Sequence, residues 1–166
     1  MKIIVGLGNP TPEYEKTFHN MGFLAIDALA EKLNKKVKKA ECSALTATFS
    51  VKGETVVLAK PLTYMNLSGK SVKSLMAKYN AQPEDVVVLF DDFDIPRFNT
   101  RAREAGSGGT HNGMRNIVQE VGSQQIKRIR IGIGQDIADK ITYVLSAMKK
   151  EDAPASMICS IALQTP

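Results

Sequence analysis

The sequence contains no tryptophan, and only two cysteines and two histidines, among its 166 residues. The low cysteine count excludes a disulfide-rich scaffold. No apolar run approaches the roughly 20 residues that a transmembrane helix requires. The apolar content of 43% excludes an intrinsically disordered chain and is sufficient for the core of one domain. We therefore expect a single domain over residues 1–166, with Cys42 and Cys159 reduced.

The N-terminus carries no sign of a targeting segment. Residues 1–6 lead directly into an apolar strand pattern, without the charged and apolar regions of a secretory signal. We therefore expect a cytoplasmic protein with no membrane association.

The positive charge of the chain is concentrated in one segment. The formal net charge is +5 at pH 7, and all six arginines lie between Arg97 and Arg130. Over residues 95–130, seven basic residues face two acidic ones, so this segment accounts for the whole net charge. The planar guanidinium group binds phosphate in a fixed geometry. The segment predicts a phosphate-binding surface, and uneven use of a rare residue type is the alternative.

Strand and helix patterns alternate along the chain. Apolar runs and two-residue alternation predict strands over 2–7, 43–51, 54–60, 85–90, 100–104 and 127–134. Helical periodicity predicts helices over about 21–33, 67–80 and 114–121, with a last helical stretch from Ile141. This order predicts an α/β single domain, a mixed twisted β-sheet with helices on both faces. In such sheets, ligands collect at the carboxyl ends of the central strands.

Two nucleotide-binding interpretations fail on the residues themselves. Gly6 and Gly8 follow the first strand, but Thr11 stands where a dinucleotide-binding loop needs its third glycine. Pro10 and Pro12 also interrupt the turn into a helix. The glycine-rich segment 106–110 is not followed by the Gly-Lys-Ser/Thr of a phosphate-binding loop.

Acidic and histidine side chains remain as candidates for catalysis. Asp91, Asp92 and Asp94 follow a buried strand, where they either hold Mg²⁺ or form an acidic turn. His19 and His111 each precede an asparagine and then a helix. Each His-Asn pair is therefore either a helix cap or a functional group, and Asn20 is expected to be an N-cap. A histidine paired with a carboxylate is a general base suited to neutral pH, and Asp91 is a candidate partner. With no nucleophilic serine or cysteine motif, water would be the nucleophile.

An ordered series of motifs, from residue 2 to about residue 145, closely resembles the bacterial peptidyl-tRNA hydrolases. The motifs are Gly6-Leu7-Gly8-Asn9-Pro10, Thr17-x-His19-Asn20, Lys60-Pro61-x-Thr63-Tyr64-Met65-Asn66-x-Ser68-Gly69, Asp91-Asp92-x-Asp94-x-Pro96, His111-Asn112-Gly113-Met114, Arg128-Ile129-Arg130-Ile131-Gly132-Ile133-Gly134 and Tyr143-Val144-Leu145. The resemblance implies a hydrolase that cleaves the ester between peptide and tRNA and so recycles tRNA during translation. We also expect a monomer that needs no metal or cofactor.

The resemblance further implies roles for individual residues. His19 would activate water, and Asp91 would hold its imidazole in the required tautomer. The residues that would contact the peptide and the ester are Asn9, Tyr14, Met65, Asn66 and Asn112. The residues that would contact tRNA phosphates are Arg101, Arg103 and Arg130.

The chain departs from the family pattern at several positions. Phe18 stands where the family usually has arginine, and Phe90 stands where histidine commonly precedes the aspartate. Thr11 and Thr110 replace glycines. The chain ends at Pro166, earlier than most relatives, so we expect a short C-terminal helix. These departures motivate a non-catalytic tRNA- or RNA-binding relative as the first alternative. A Mg²⁺-dependent phosphate enzyme that uses the acidic cluster is the second.

Overall fold

Seven strands and three helices make up the described part of the computed structural model, which covers residues 1–15, 17–97 and 99–134. The strands are β1 (Lys2–Gly6), β2 (Lys39–Glu41), β3 (Ala44–Val51), β4 (Glu54–Pro61), β5 (Val86–Pro96), β6 (Thr100–Arg103) and β7 (Lys127–Gly134). The helices are α1 (Met21–Lys32), α2 (Ser68–Tyr79) and α3 (Asn112–Val121). The helix expected from Ile141, the 143–145 motif and Cys159 lie outside the described residues.

The strands form one mixed sheet in the order β2-β3-β4-β1-β5-β7-β6. The central strands β4, β1, β5 and β7 run parallel to one another, while β2 and β3 on one side and β6 on the other pair antiparallel. Parallel central strands bring their carboxyl ends to a single edge of the sheet. The predicted α/β class with a mixed sheet is confirmed.

Side-chain alternation in the central strands builds two cores, one on each face of the sheet. On β5, Val87 and Leu89 pack in the core that contains α1. Val86, Val88 and Phe90 pack in the core that contains α2 and α3. Because successive side chains of a strand point to opposite faces, the helices lie on both sides of the sheet, as predicted.

The hairpin between β3 and β4 forms at the predicted position. Val51 pairs with Glu54 across the turn. The two residues between them, Lys52 and Gly53, have φ values of 49° and 81°. Positive φ at both central positions is typical of the tight turn that matches the twist of a β-hairpin.

The predicted end of β5 at residue 90 is wrong, because the strand continues through the acidic residues to Pro96. Asp92 pairs with Gly132 of β7, and after a register shift Pro96 pairs with Gly134. A Cβ atom on Gly132 would lie 2.1 Å from the carbonyl oxygen of Pro96, so only glycine permits this approach. The sequence does not indicate this part of the strand, because its residues are polar and its pairing depends on glycines in the neighbouring strand β7.

Candidate active site

Two glycines bring α1 against the carboxyl ends of β1 and β5. A Cβ atom on Gly6 would lie 2.1 Å from the carbonyl oxygen of Gly22. A Cβ atom on Gly22 would lie 2.3 Å from the amide nitrogen of Leu7 and 2.4 Å from the carbonyl oxygen of Leu89. No larger residue fits at either position. The short 3-10 helix Phe18–Asn20, directly before α1, is therefore held at the edge where β5 reaches Asp91.

His19 and Asp91 form a buried pair at this edge. Asp91 lies on the same side of β5 as Val87 and Leu89, the side of α1, because every second residue of a strand points to the same face. The Nδ1 atom of His19 lies 3.0 Å and 2.9 Å from the two carboxylate oxygens of Asp91. Their side chains are 14% and 2% exposed, respectively. Because an ionised carboxylate only accepts hydrogen bonds, the neutral imidazole carries its proton on Nδ1 and leaves Nε2 as a base.

His111 joins the same carboxylate from the opposite side of the sheet. As the N-cap of α3, its Nδ1 accepts a hydrogen bond of 3.2 Å from the backbone amide of Met114. Its Nε2 lies 3.1 Å from Oδ1 of Asp91. Nδ1 is therefore unprotonated, and Nε2 donates to Asp91. Of the two alternatives left open for His111, the helix cap is confirmed, and His111 also hydrogen-bonds the carboxylate of Asp91.

The electrostatic environment keeps Asp91 ionised. Burial by itself would raise the pKa of its carboxyl group. The positive charge that His111 and His19 can carry, together with their hydrogen bonds, outweighs burial and brings that pKa well below its usual range. Asp91 can consequently orient His19 and stabilise its cation without taking up the proton itself.

The same three residues are also the cluster in the described ranges whose side chains could hold a metal ion. The ligand atoms of His19, Asp91 and His111 all lie within 4.8 Å of one another. Imidazole and carboxylate ligands suit Zn²⁺ in kind. In the structure, however, these nitrogen atoms are directed at the carboxylate as hydrogen-bond partners.

Asn9 lies in the loop after β1, and a network of hydrogen bonds holds it. Its Oδ1 accepts a bond of 3.0 Å from the backbone amide of Met65. The prediction that the Asn20 side chain caps α1 is wrong, since it makes no cap hydrogen bond. Instead the amide of Asn20 bonds the backbone N–H and C=O of Asn9, at 2.8 Å and 2.9 Å.

Met65 and Asn66 begin a short 3-10 helix, Met65–Leu67, next to the histidine cluster. A Cβ atom on Gly113 would lie 2.5 Å from Sδ of Met65 and 3.2 Å from Cε1 of His111, so these groups are close neighbours. Asn66 and Asn112 are exposed beside them. Neither side chain has a hydrogen-bond partner within the described ranges, so both amides are open to a ligand.

Tyr14 ends another 3-10 helix, Pro12–Tyr14, upstream of His19. Its carbonyl oxygen accepts bonds from the amide and the hydroxyl of Thr17, at 3.1 Å and 2.8 Å. These bonds connect the Tyr14 turn to the residues just before His19. In the part of the chain that the structure describes, no hydrogen bond joins the Tyr14 hydroxyl to the histidine cluster.

The acidic cluster does not converge on one point. Asp91 faces the two histidines, whereas Oδ2 of Asp92 lies 3.3 Å from Nη1 of Arg130. The other carboxylate oxygen of Asp92 accepts a bond of 2.8 Å from the backbone amide of Asp94. Adjacent residues of a strand point to opposite faces, which separates the side chains of Asp91 and Asp92. The arrangement required by the Mg²⁺ alternative is therefore absent from these three residues.

The predicted arginine surface lies on β6 and β7. Arg101 pairs with Arg130 and Arg103 pairs with Arg128 across the antiparallel ladder, so all four side chains share one face. Arg101 and Arg103 are exposed. Arg130 is paired with the carboxylate of Asp92, as described above.

Arg128 differs from the other arginines because it is only 3% exposed. Its guanidinium group donates to the backbone carbonyls of Ser107, Gly106, Ile126 and Gln124. Burial first, and then the charges of Arg103 and Arg130, lower its pKa. The glycine-rich segment before His111 is thus anchored by Arg128, a role that strand alternation in the sequence could not reveal.

The aromatic departures from the family pattern are core residues. Phe18 is buried on the α1 side of the sheet, with the guanidinium carbon of Arg97 5.3 Å from its ring centroid. Phe90 is buried on the other side, with its ring centroid 4.7 Å from that of His111. Thr11 and Thr110 do not adopt a positive φ, so neither position requires glycine. None of these substitutions separates His19 from Asp91.

The chain is similar to known proteins both in sequence and in fold. The model of the family described as peptidyl-tRNA hydrolase matches residues 3–164. The chain belongs to the peptidyl-tRNA hydrolase family. The peptidyl-tRNA hydrolase of Geobacillus kaustophilus is 48% identical over 157 residues, covering 93% of this chain and 84% of the relative. That of Bacillus subtilis is 44% identical over 156 residues, covering 93% and 83%.

Solved structures of the peptidyl-tRNA hydrolase family share the fold. A crystal structure of peptidyl-tRNA hydrolase from Acinetobacter baumannii superposes with a TM-score of 0.86 at 32% identity, covering 98% of this chain and 83% of that one. The predicted family is confirmed, and so is the prediction that the protein is a hydrolase acting on ester bonds. No helix of the described residues has the length and apolar content needed to cross a membrane.

Proposed function

We propose that this protein hydrolyses the ester that joins a peptide to the terminal ribose of tRNA, with His19 as the general base. The observation that carries the proposal is the His19–Asp91 pair, in which Nδ1 is occupied by the carboxylate and Nε2 keeps its lone pair. Family membership supports peptidyl-tRNA as the substrate.

The reaction follows from this tautomer. Nε2 of His19 takes a proton from a water molecule while the water oxygen attacks the carbonyl carbon of the ester. The resulting imidazolium is stabilised by Asp91. When the tetrahedral intermediate collapses, the C–O bond to the ribose breaks and His19 returns the proton to the departing ribose oxygen. General-base assistance of this kind contributes about 10²–10⁴-fold to the rate.

Neutral amide groups bind the reacting part of the substrate in this proposal. Asn9, Asn66 and Asn112 supply N–H donors to the peptide backbone and to the oxyanion, and each such donor is worth about 10²–10³-fold in kcat. Tyr14 and Met65 line the same cleft. Uncharged amides suit a peptide backbone because they donate and accept without attracting unrelated ions.

Arg101, Arg103 and Arg130 bind phosphates of the tRNA. Two observations support this assignment. The three side chains share one face of the β6–β7 ladder, and β7 lies beside β5, the strand that carries Asp91. A substrate held by phosphates on this face and by its ester at His19 would span the sheet edge between the two sites.

The deciding experiment measures release of free tRNA from a purified peptidyl-tRNA. We expect turnover by the wild-type protein and a loss of about 10²–10⁴-fold in His19→Ala. A protein that binds the substrate without releasing tRNA would be the non-catalytic RNA-binding relative. An undiminished rate in His19→Ala would remove His19 from the mechanism.

The proposal also includes a monomer that acts in the cytoplasm without metal or cofactor. A chelator should leave the rate of tRNA release unchanged, and sedimentation should give the mass of one chain. A chelator-sensitive rate that Zn²⁺ restores would instead assign the His19, Asp91 and His111 cluster to a metal ion.

A further inference from the structure

The loop after β1 lacks ordinary strand partners where Asn9 lies. The last backbone bond from this segment to β5 runs from the amide of Leu7 to the carbonyl of Leu89, at 3.0 Å. Two residues later, both backbone polar groups of Asn9 are bonded by the carboxamide of Asn20. Asn20 is 2% exposed, so it has little access to water in place of this partner.

The side chain of Asn9 is oriented by a second contact. Its Oδ1 accepts from the backbone amide of Met65, which leaves the Nδ2 group as the donor end. No residue within the described ranges accepts a hydrogen bond from Nδ2. Met65 follows Tyr64, whose φ of 57° and ψ of 156° are rare for a residue other than glycine. Strained backbone of this kind persists where the surrounding structure requires it.

We infer that Asn20 is a positioning residue, which holds Asn9 so that its Nδ2 group donates to the substrate ester. The inference rests on the proposed function of Asn9. Asn20 immediately follows His19 in the same 3-10 helix, so one carboxamide sets the distance between the general base and the donor. A cap of α1 would not do this, and the Asn20 side chain makes no cap bond.

A double-mutant cycle on kcat tests the inference. We expect Asn9→Ala to lower kcat about 10²–10³-fold, as for the loss of one oxyanion donor. Asn20→Ala should lower kcat by about tenfold or more with a smaller change in KM, since a misplaced donor costs mainly the transition state. If Asn20 acts through Asn9, the double variant should be within about twofold of Asn9→Ala alone.

Asn116→Ala is the matched control. The Oδ1 of Asn116 also accepts from a backbone amide, that of Gly69 at 2.7 Å, but no hydrogen bond within the described residues joins Asn116 to Asn9. Its effect on kcat should multiply with that of Asn9→Ala. If Asn20→Ala does not fold, Asn20→Asp replaces it, because the carboxylate keeps an acceptor for the Asn9 amide but loses the donor to the Asn9 carbonyl.

The outcomes separate this inference from the proposed function. Multiplying losses for Asn9→Ala and Asn20→Ala, or an undiminished kcat in either variant, would overturn the positioning role while wild-type turnover stands. If the wild-type protein releases no tRNA, the proposed function fails by itself. The side-chain amide signals of Asn9 in an NMR spectrum then decide whether Asn20 positions Asn9, which requires that Asn20→Ala shift or broaden them and Asn116→Ala leave them in place.

Discussion

The rings of His19 and His111 lie 5.0 Å apart, centroid to centroid, at an angle of 47°. Both direct a ring nitrogen at one carboxylate, that of Asp91. The two histidines come from opposite faces of the sheet, one ahead of α1 and the other at the start of α3. The two rings differ because both nitrogens of His111 are occupied, whereas Nε2 of His19 has no hydrogen-bond partner among the described residues.

Asp91→Asn should lower kcat by about 10²–10⁴-fold while leaving the fold intact. In the carboxylate, one oxygen faces both histidines and the other faces His19 alone, whereas an amide replaces one of these acceptor oxygens with an NH₂ donor. If the NH₂ group faces His19, the proton of that ring moves to Nε2 and the base is lost. Single-turnover release of tRNA measures the effect, with a thermal melt of the same sample. A rate within threefold of wild type would contradict the assigned tautomer.

His111→Asn should lower kcat by about 10- to 100-fold, less than Asp91→Asn, because it removes one charge-assisted hydrogen bond. Asparagine is a favourable N-cap, so α3 keeps its cap while the contact with Asp91 is lost. The comparison is kcat beside the free energy of unfolding in urea. An unchanged kcat would mean that the hydrogen bond from His111 to Asp91 does not contribute to catalysis, whatever its effect on stability.

The sequence predicted those parts of the fold that depend on local pattern. Alternation in β7 gave the faces of Arg128 and Ile129, and Lys52-Gly53 predicted the hairpin, because each signal lies within a few residues. The extension of β5 to Pro96 depends on Gly132, some forty residues further along the chain. No local pattern in an acidic segment carries that information.

The site shows the same division between local and distant determinants. The family motifs led to His19 and Asp91, and the structure brings them within hydrogen-bond distance. The sequence does not reveal the bond between His111 and the same carboxylate, although it places His111 before a helix. The cap predicted for the Asn20 side chain is wrong, because Asn9 approaches Asn20 only in the folded chain, whereas the sequence shows only that Asn20 precedes a helix.

Arg103→Ala should weaken tRNA binding and reduce the salt dependence of that binding by about 0.7–0.9 in the slope of log K against log salt, as for one lost phosphate contact. Arg103 is exposed on the predicted phosphate-binding face. Binding titrations at several salt concentrations measure the slope. An unchanged slope would show that Arg103 does not contact phosphate.

Arg128→Gln should leave the salt slope unchanged, because Arg128 is buried, and instead lower the free energy of unfolding by about 1–3 kcal/mol. Its guanidinium group donates to the backbone carbonyls of Ser107 and Gly106 in the segment before His111, and a glutamine side chain has only one NH₂ group in place of those donors. Urea unfolding and the same titrations test both statements. A slope reduced as in Arg103→Ala would mean that Arg128 reaches phosphate.

Glu41 provides a test of stability away from the site. Its side chain is 6% exposed, and it accepts bonds from Thr46 and Tyr79, each at 2.6 Å, and from Lys78. Burial by itself would raise its pKa, but these bonds outweigh burial and lower the pKa from 4.5 to about 2. The unfolded chain therefore binds a proton more readily than the folded one between these values. The stabilisation is complete above pH 4.5 and is lost as the pH falls towards 2.

Glu41→Gln should consequently lower the free energy of unfolding by about 1–3 kcal/mol at pH 7, with the difference from wild type narrowing below pH 4.5 and nearly gone at about pH 2. Urea unfolding at pH 7, pH 4 and the lowest pH that keeps the protein folded measures this trend. Glu54→Gln is the control, since Glu54 forms an exposed pair with the N-terminal amine and should show a much smaller difference. A gap between wild type and Glu41→Gln that stays constant with pH would mean that Glu41 stabilises the fold by packing, because a charge effect must disappear once the carboxylate is protonated in both states.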